Sequence, residues 1–443
     1  MSRRISFLFH QENWMKIFLL PLGLAALIFN PCLALETASL GNYEAVGGNV
    51  LHVIEPATPL TLKSALELAY GANAALSTAK RELEAVAGSI LQAGLRPNPR
   101  VEALIEDLRP ENRLTAIYYN QPLELGGKRP ARIAAAERRQ DVASAELNAM
   151  RAEIRAAVMA AFFDVLVAQE RFLLTQELVE LSQRATTAAS KRVTAGKVSP
   201  VEETKARVAE ASVRVELSQA ATNLKMARKR LTAIWGNATP RFERAEGQVE
   251  ALPALPALKD LTARLANAPG LARAQLEVNR RQALVEVERS LRIPDVTLSL
   301  GGRRNNEIGL NQALLGVSLP IPIFNRNQGN ILEALRRTDK ARDELSGTET
   351  RLNNEIAQAF ERLNVARQEI EILQREILPG AQSAYDAATK GYIMGKFSFL
   401  EVLDAQRTLF QAKSQYLRAL AEAHRSAAEI ERVLGEAPDK PTL

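Results

Sequence analysis

The apolar positions of this chain follow two periods, and the switch between them predicts its elements. Val296, Leu298 and Leu300 alternate with Thr297, Ser299 and Gly301. Ala313, Leu315, Val317, Leu319 and Ile321 alternate with Gln312, Leu314, Gly316 and Ser318. Period two marks a strand with unlike faces. A weaker version occurs earlier, with Val101, Ala103 and Ile105 set against Glu102, Leu104 and Glu106, then Leu114, Ala116 and Tyr118. Polar connectors, Arg109 to Asn112 and Arg303 to Asn306, divide each pair. One apolar and one polar face suits a barrel wall between lipid and water. It suits equally an ordinary hairpin on a soluble core, and alternation alone favours that hairpin.

The rest of the pattern is helical. From Gly126-Gly127 it runs to about Thr194, on the order of 100 Å at 1.5 Å per residue. Pro130 sits near the start, where proline is tolerated. Ile154, Val158, Ala161, Val165, Ala168, Phe172 and Val179 line one stripe. Later, Ile356, Ala359, Leu363, Ala366, Ile370, Leu373 and Ile377 advance by alternate steps of three and four. That is a heptad seam, which packs helices side by side over long distances.

The chain also repeats itself, at an offset slightly under 200 residues. The run Gly94 to Val101 matches Ser290 to Val296. Gln121-Pro122-Leu123 matches Leu319-Pro320-Ile321, and Ala195-Gly196-Lys197-Val198-Ser199 matches Met394-Gly395-Lys396-Phe397-Ser398. Each half reads as a medium helix, two strands, a very long helix, a tight turn and a long helix. We divide the chain into an N-terminal extended segment at 35–59, a first repeat at 60–251 and a linker at 252–260. A second repeat at 261–435 and a tail at 436–443 complete it. The strands are expected at about 99–124 and 294–323, and the turns at about 195–200 and 394–399.

At those turns glycine permits a sharp reversal. Ser199 and Ser398 are placed to cap the returning helices, with Glu202 and Glu401 three residues on as capping boxes. Glu401 and Asp404, at i and i+3, share one helix face.

The N-terminus adds a compartment. Met15-Lys16 opens a positive start, Ile17 to Phe29 are largely apolar, and Cys32-Leu33-Ala34 provides small residues. This reads as a secretory signal peptide spanning 1–34 and cut after Ala34, with Met1 or Met15 as the start. The alternatives are a transmembrane anchor, for which the run is short, and lipidation at Cys32, which Phe29-Asn30-Pro31 fits poorly. Cys32 is the sole cysteine, so an exported chain cut at Ala34 has no thiol chemistry.

Composition narrows the function. Hydrophobic residues make up 47%, charged residues 24% and aromatics 5%, and the net charge is +6. The mixed charges read as a solvated surface. No basic block or zinc-finger spacing suggests nucleic acid. With only His10, His52 and His424, no metal-ligand cluster or Ser–His–Asp arrangement is legible. Gly126-Gly127-Lys128 is a fragment of a phosphate loop without its spacing. We expect no enzyme activity and no cofactor.

No other stretch reaches the ~18 apolar residues of a spanning helix. A chain of this kind crosses a membrane only as a closed β-barrel. Four strands leave two open edges, so several chains must pool strands to close one.

The residues at this point resemble the TolC-type outer-membrane efflux family, over roughly 60–435. Gln121 to Arg129 with Ala131 to Glu137, and Gly316 to Asn327, are similar to its branch serving cobalt–zinc–cadmium efflux. The resemblance implies a mainly α fold with a small β part. Three chains of four strands each would form a transmembrane barrel, and the helices a long α-barrel across the periplasm. It implies a homotrimer in outer-membrane lipid, a periplasmic membrane-fusion adaptor, and an inner-membrane pump of the resistance–nodulation–division class. It places adaptor contacts at Gly196, Lys197, Val198, Ser199, Gly395, Lys396, Phe397 and Ser398. It places the pore constriction at Glu401 and Asp404, with Tyr392 tying neighbouring helices shut and Glu202 as the candidate acceptor of its hydroxyl. Phe397 departs from the best-known member, which has an arginine there, and an apolar ring removes that ion pair. The implied function is passive export of divalent heavy-metal cations. A multidrug or secretion duct of the same fold is the alternative, and a poreless periplasmic coiled-coil adaptor the alternative of another class. Duplicated strand pairs argue against the last.

A ring of carboxylates concentrates cations and shapes selectivity. Replacing Glu401→Ala together with Asp404→Ala is expected to raise conductance and reduce divalent-cation block in planar bilayers. Unchanged block refutes the gate assignment.

Overall fold

The computed structural model describes Glu55 and residues 59–435. The expected signal peptide, Cys32, His10 and His52 lie outside the described residues. Among those described, no helix is long and apolar enough to cross a membrane.

Each repeat opens with helices. In the first, β1 (Leu60–Thr61) leads into α1 (Leu62–Ala72) and α2 (Ala74–Ala93). The single medium helix expected here is two. Asn73 is extended, its side chain caps Leu76 N at 3.0 Å, and its amide donates to Ile234 O at 2.7 Å. A side chain that bonds the backbone locally competes with helix continuation.

Strands β2 (Arg100–Glu106) and β3 (Leu114–Leu123) come next, then α3 (Lys128–Thr194), a helix of 67 residues, and α4 (Pro200–Ala233). A short β4 (Ala245–Glu246) pairs in parallel with β1. The second repeat has α5 (Leu258–Arg264), which begins inside the expected linker, α6 (Pro269–Ser290), β5 (Val296–Asn305) and β6 (Leu310–Ser318). It closes with α7 (Gln328–Ile372), α8 (Leu378–Ile393) and α9 (Phe399–Leu434).

Three expectations need correction in this half. The second strand, β6, ends at Ser318, so Leu319 and Ile321, expected within it, lie beyond it. Arg303 to Asn305 belong to β5, because they pair with Gln312, Asn311 and Leu310, and the turn starts only at Asn306. The heptad seam holds from Ile356 through Leu373, all buried where the pattern places them, but Ile377 is exposed. A π-helical turn at Leu373–Ile377 separates α7 from α8. The wider turn rotates the helix beyond it and carries Ile377 off the seam.

The four long strands form one antiparallel sheet in the order β2-β3-β5-β6. Pairing sets Val101, Tyr119, Leu300 and Leu315 in one row across it. On this face Leu315 is 79% exposed, Val317 69% and Val101 73%. The opposite face carries a polar chain: Ser299 Oγ lies 2.6 Å from Asn120 Oδ1, and Asn120 Nδ2 donates to Glu102 at 3.3 Å. A hairpin on a soluble core hides its apolar face. This sheet presents it, as a barrel wall in lipid does.

Where the sheet joins the helices, the chain reverses at Gly126 and Gly127, each with φ of +72°. Lys128, almost fully buried, pairs with Asp295 of the other repeat at 2.5 Å, and Leu125 N donates to the same carboxylate at 3.2 Å. A second carboxylate, Glu124, holds Arg132.

The largest apolar core is drawn from β1, α1, α3, α4, α7 and α9, with Phe162, Val158, Ile356 and Leu420 at its centre. Glu55 is buried there and accepts from Trp235 Nε1 at 2.8 Å, Asn237 Nδ2 at 2.5 Å and Arg241 N at 2.7 Å. His424 is structural: it stacks on Phe163 with centroids 3.6 Å apart and bonds Val249 O through Nε2 at 2.7 Å. Burial holds its imidazole below the ordinary value.

Gly126 separates backbone strain from collision. A Cβ there would lie 2.7 Å from Ile293 Cβ and 2.9 Å from Ser290 O, whereas one at Gly127 would meet nothing within 4 Å. Gly127→Ala is expected to cost about 1–3 kcal/mol from positive φ alone. Gly126→Ala is expected to cost clearly more, read as a larger drop in melting temperature in detergent. Equal drops would sink the packing argument.

Candidate functional site

The two helical hairpins end in turns of identical construction. Lys197 N donates to Arg192 O at 2.9 Å and Gly196 N to Val193 O at 2.9 Å. Lys396 N donates to Gly391 O at 2.8 Å and Gly395 N to Tyr392 O at 3.0 Å. Both are Schellman endings, which need a left-handed residue, and Gly196 and Gly395 supply it with φ of +68° and +70°.

The returning helices begin differently. Ser398 and Glu401 make the expected capping box, with Ser398 N donating to Glu401 Oε2 at 2.6 Å and Glu401 N to Ser398 Oγ at 3.4 Å. Ser199 and Glu202 do not. Ser199 Oγ accepts from Val201 N at 3.3 Å, one residue short of the box position, while Glu202 Oε2 is buried without a hydrogen-bond partner among the described residues.

Behind the turns a small core joins the hairpins. Ala189 of α3, Ala206 of α4, Ala388 and Tyr392 of α8, and Phe399, Val402 and Leu403 of α9 are all buried in it. Alanines let four helices approach, and two rings fill the centre, Tyr392 and Phe399, 5.6 Å apart. Farther up, Gln406 Nε2 donates to Ser182 Oγ at 3.2 Å inside the same seam.

The expected hydrogen bond from Tyr392 to Glu202 is not made. The Tyr392 hydroxyl, like Glu202 Oε2, is buried and unpartnered among the described residues. Arg192 of α3 holds the tyrosine instead. Its guanidinium carbon lies 4.4 Å from the ring centroid, and Nη1 donates to Tyr392 O at 3.1 Å. Phe397 folds back on Gly391, where an added Cβ would collide with its ring. Sequence reasoning missed Arg192, Gly391 and Phe399. A last-turn arginine and a glycine inside a helix carry no periodic signal, though Phe399 lies three before Val402 and could have been read as seam.

Glu401 and Asp404 are both exposed, on the face of α9 opposite buried Val402 and Leu403. Part of the Glu401 carboxylate is committed to its own cap. Gly196, Lys197, Ser199, Gly395, Lys396 and Ser398 are exposed at the turns, and Val198 is half-buried. Exposed Val201, Ile393, Met394 and Leu400 add an apolar surface beside them. Among the described residues, no three His, Cys, Asp or Glu side chains are placed to hold a metal ion.

Residues 65–237 and 261–436 match the family described as outer membrane efflux protein. The chain belongs to that family. A cobalt-zinc-cadmium resistance protein, CzcC, of Cupriavidus metallidurans is 46% identical over 423 residues, covering 95% of this chain and all of the relative. The nickel-cobalt-cadmium resistance protein NccC of Alcaligenes xylosoxydans xylosoxydans is 29% identical over 59% of this chain and 61% of its own length. Among solved structures, the CusC channel superposes with a TM-score of 0.72 at 19% identity, over 85% of this chain and 92% of that one. The outer membrane protein VceC of Vibrio cholerae gives 0.72 at 20% identity, over 84% and 96%. The expected fold, long helices with a small sheet, is the family's fold. In this outer-membrane efflux protein the sheet is the membrane part and the helices are the periplasmic part.

Removing the guanidinium should loosen the hairpins. A cation over a ring and a charged donor on a carbonyl are together worth about 1–3 kcal/mol. Arg192→Gln is therefore expected to speed non-specific proteolysis at the turns several-fold, with Arg192→Lys in between. An unchanged cleavage rate would show that Arg192 does not hold the hairpins together.

Proposed function

We propose that this outer-membrane efflux protein is the exit duct of a heavy-metal efflux system and passes divalent cations outward without catalysing any reaction. The observation that carries the duct reading is the inverted sheet: its apolar face is exposed, and both edges are free. Unpaired edges cannot face hydrocarbon, so several copies pool strands around a water-filled bore; the resemblance to the efflux family makes them three, with twelve strands. The metal reading is supported by relatives whose names specify cobalt, zinc, cadmium and nickel resistance.

In this reading the two repeats, 60–251 and 261–435, are the structural units. The turns at Gly196–Ser199 and Gly395–Ser398, with the apolar residues beside them, receive a periplasmic adaptor. That adaptor links the duct to an inner-membrane pump of the resistance–nodulation–division class. Exposed Glu401 and Asp404 line the narrowest ring, and the Arg192–Tyr392 contact restrains it. Cations attracted by the ring lower its self-repulsion, so the ring favours cationic cargo.

A deletion strain is expected to lose resistance to at least one of zinc, cobalt and cadmium, restored by the gene in trans, with resistance to a dye substrate unchanged. Loss of dye resistance with metal resistance intact would favour the multidrug alternative.

A further inference from the structure

The isolated chain contains one complete strand junction between repeats and the two halves of another. In β3, Gln121, Pro122 and Leu123 are strand, paired with Leu298, Thr297 and Val296 of β5. Their counterparts one repeat later, Leu319, Pro320 and Ile321, are not strand, because β6 stops at Ser318. Ile321 is 76% exposed. The difference is what lies alongside: β3 has β5 on its far side, whereas β6 is a sheet edge. Backbone groups with no ladder beyond them have nothing to hold them extended.

The opposite edge is β2, the repeat counterpart of β5, and all of its residues are exposed. Strand directions alternate across the sheet, so β2 of a second copy can approach β6 antiparallel, as β5 meets β3. Leu123 faces Val296 in the internal junction. Ile321 corresponds to Leu123, and Val101 to Val296.

We propose that β2 of a second copy of this chain extends β6 through Ile321, with Ile321 opposite Val101, Leu319 opposite Ala103 and Val317 opposite Ile105. The inference rests on the multi-chain barrel proposed above and adds its register. It places apolar side chains of both copies on one face. A slip of one residue sends one set to the polar face. A slip of two keeps the faces, and only the internal repeat decides against it.

The test is cysteine cross-linking in outer membranes, since Cys32 is the sole native cysteine. Val101→Cys with Ile321→Cys is oxidised and run on non-reducing gels. Opposed Cβ atoms lie ~5 Å apart and diagonal ones ~7–8 Å, beyond disulfide reach. Roughly tenfold more reducible dimer and trimer is therefore expected than from Val101→Cys with Leu319→Cys or with Ile323→Cys, the registers two residues to either side. Each single variant sets the background from Cys32, and heat-modifiable oligomers verify folding. Stronger cross-linking in a slipped pair, or none in any pair while such oligomers form, overturns the register and leaves the barrel intact. Absence of oligomers overturns both.

Discussion

An unpaired backbone amide in hydrocarbon costs several kcal/mol, and most of this molecule answers to that constraint. Among the described residues the sheet has four strands and no partner at either edge. Its exposed face carries Leu300, Leu315 and Val317, and its other face a hydrogen-bonded polar chain through Ser299, Asn120 and Glu102. Such a sheet suits neither water on its apolar side nor lipid at its edges. Closure with further copies resolves both problems, and a bore along the shared axis is the geometric result.

The sheet must also pass its order to helices of very different period. That transition is where the chain is least tolerant. Two positive-φ glycines turn the backbone, one of them pressed against Ile293 and Ser290 of the other repeat. The Lys128–Asp295 pair crosses the same boundary with little solvent around the lysine. Breaking one partner of such a pair strands a buried charge, so the two repeats are locked together at the base of the sheet.

At the far end the requirement is reversed. In the proposed duct the turns hold shape while the hairpins part. Schellman endings define each turn locally, so it survives movement of its neighbours. What joins the hairpins at this end is slight: alanines, two rings, Val402 and Leu403, a buried Gln–Ser hydrogen bond and the Arg192–Tyr392 contact. The Tyr392 hydroxyl and Glu202 Oε2 lack partners among the described residues. Unpartnered buried polar atoms favour rearrangement, and here they sit at the proposed gate.

Local rules determined much of this from sequence alone. Period two gave Val296–Leu300 and Ala313–Val317 as strands, alternate steps of three and four gave the Ile356–Leu373 seam, and the paired Gly-Lys-x-Ser motifs gave both turns. These depend on residues near one another in the chain, so spacing carries them. Tertiary structure alone decided the rest. Asn73 breaks a helix because Ile234 O receives its amide. β3 runs on to Leu123 because β5 lies beside it, while β6 ends at Ser318 for want of a neighbour. Arg192, rather than Glu202, reaches Tyr392. Each of these depends on a partner more than a hundred residues away, or on one that a single chain does not possess, and no local pattern records such a partner.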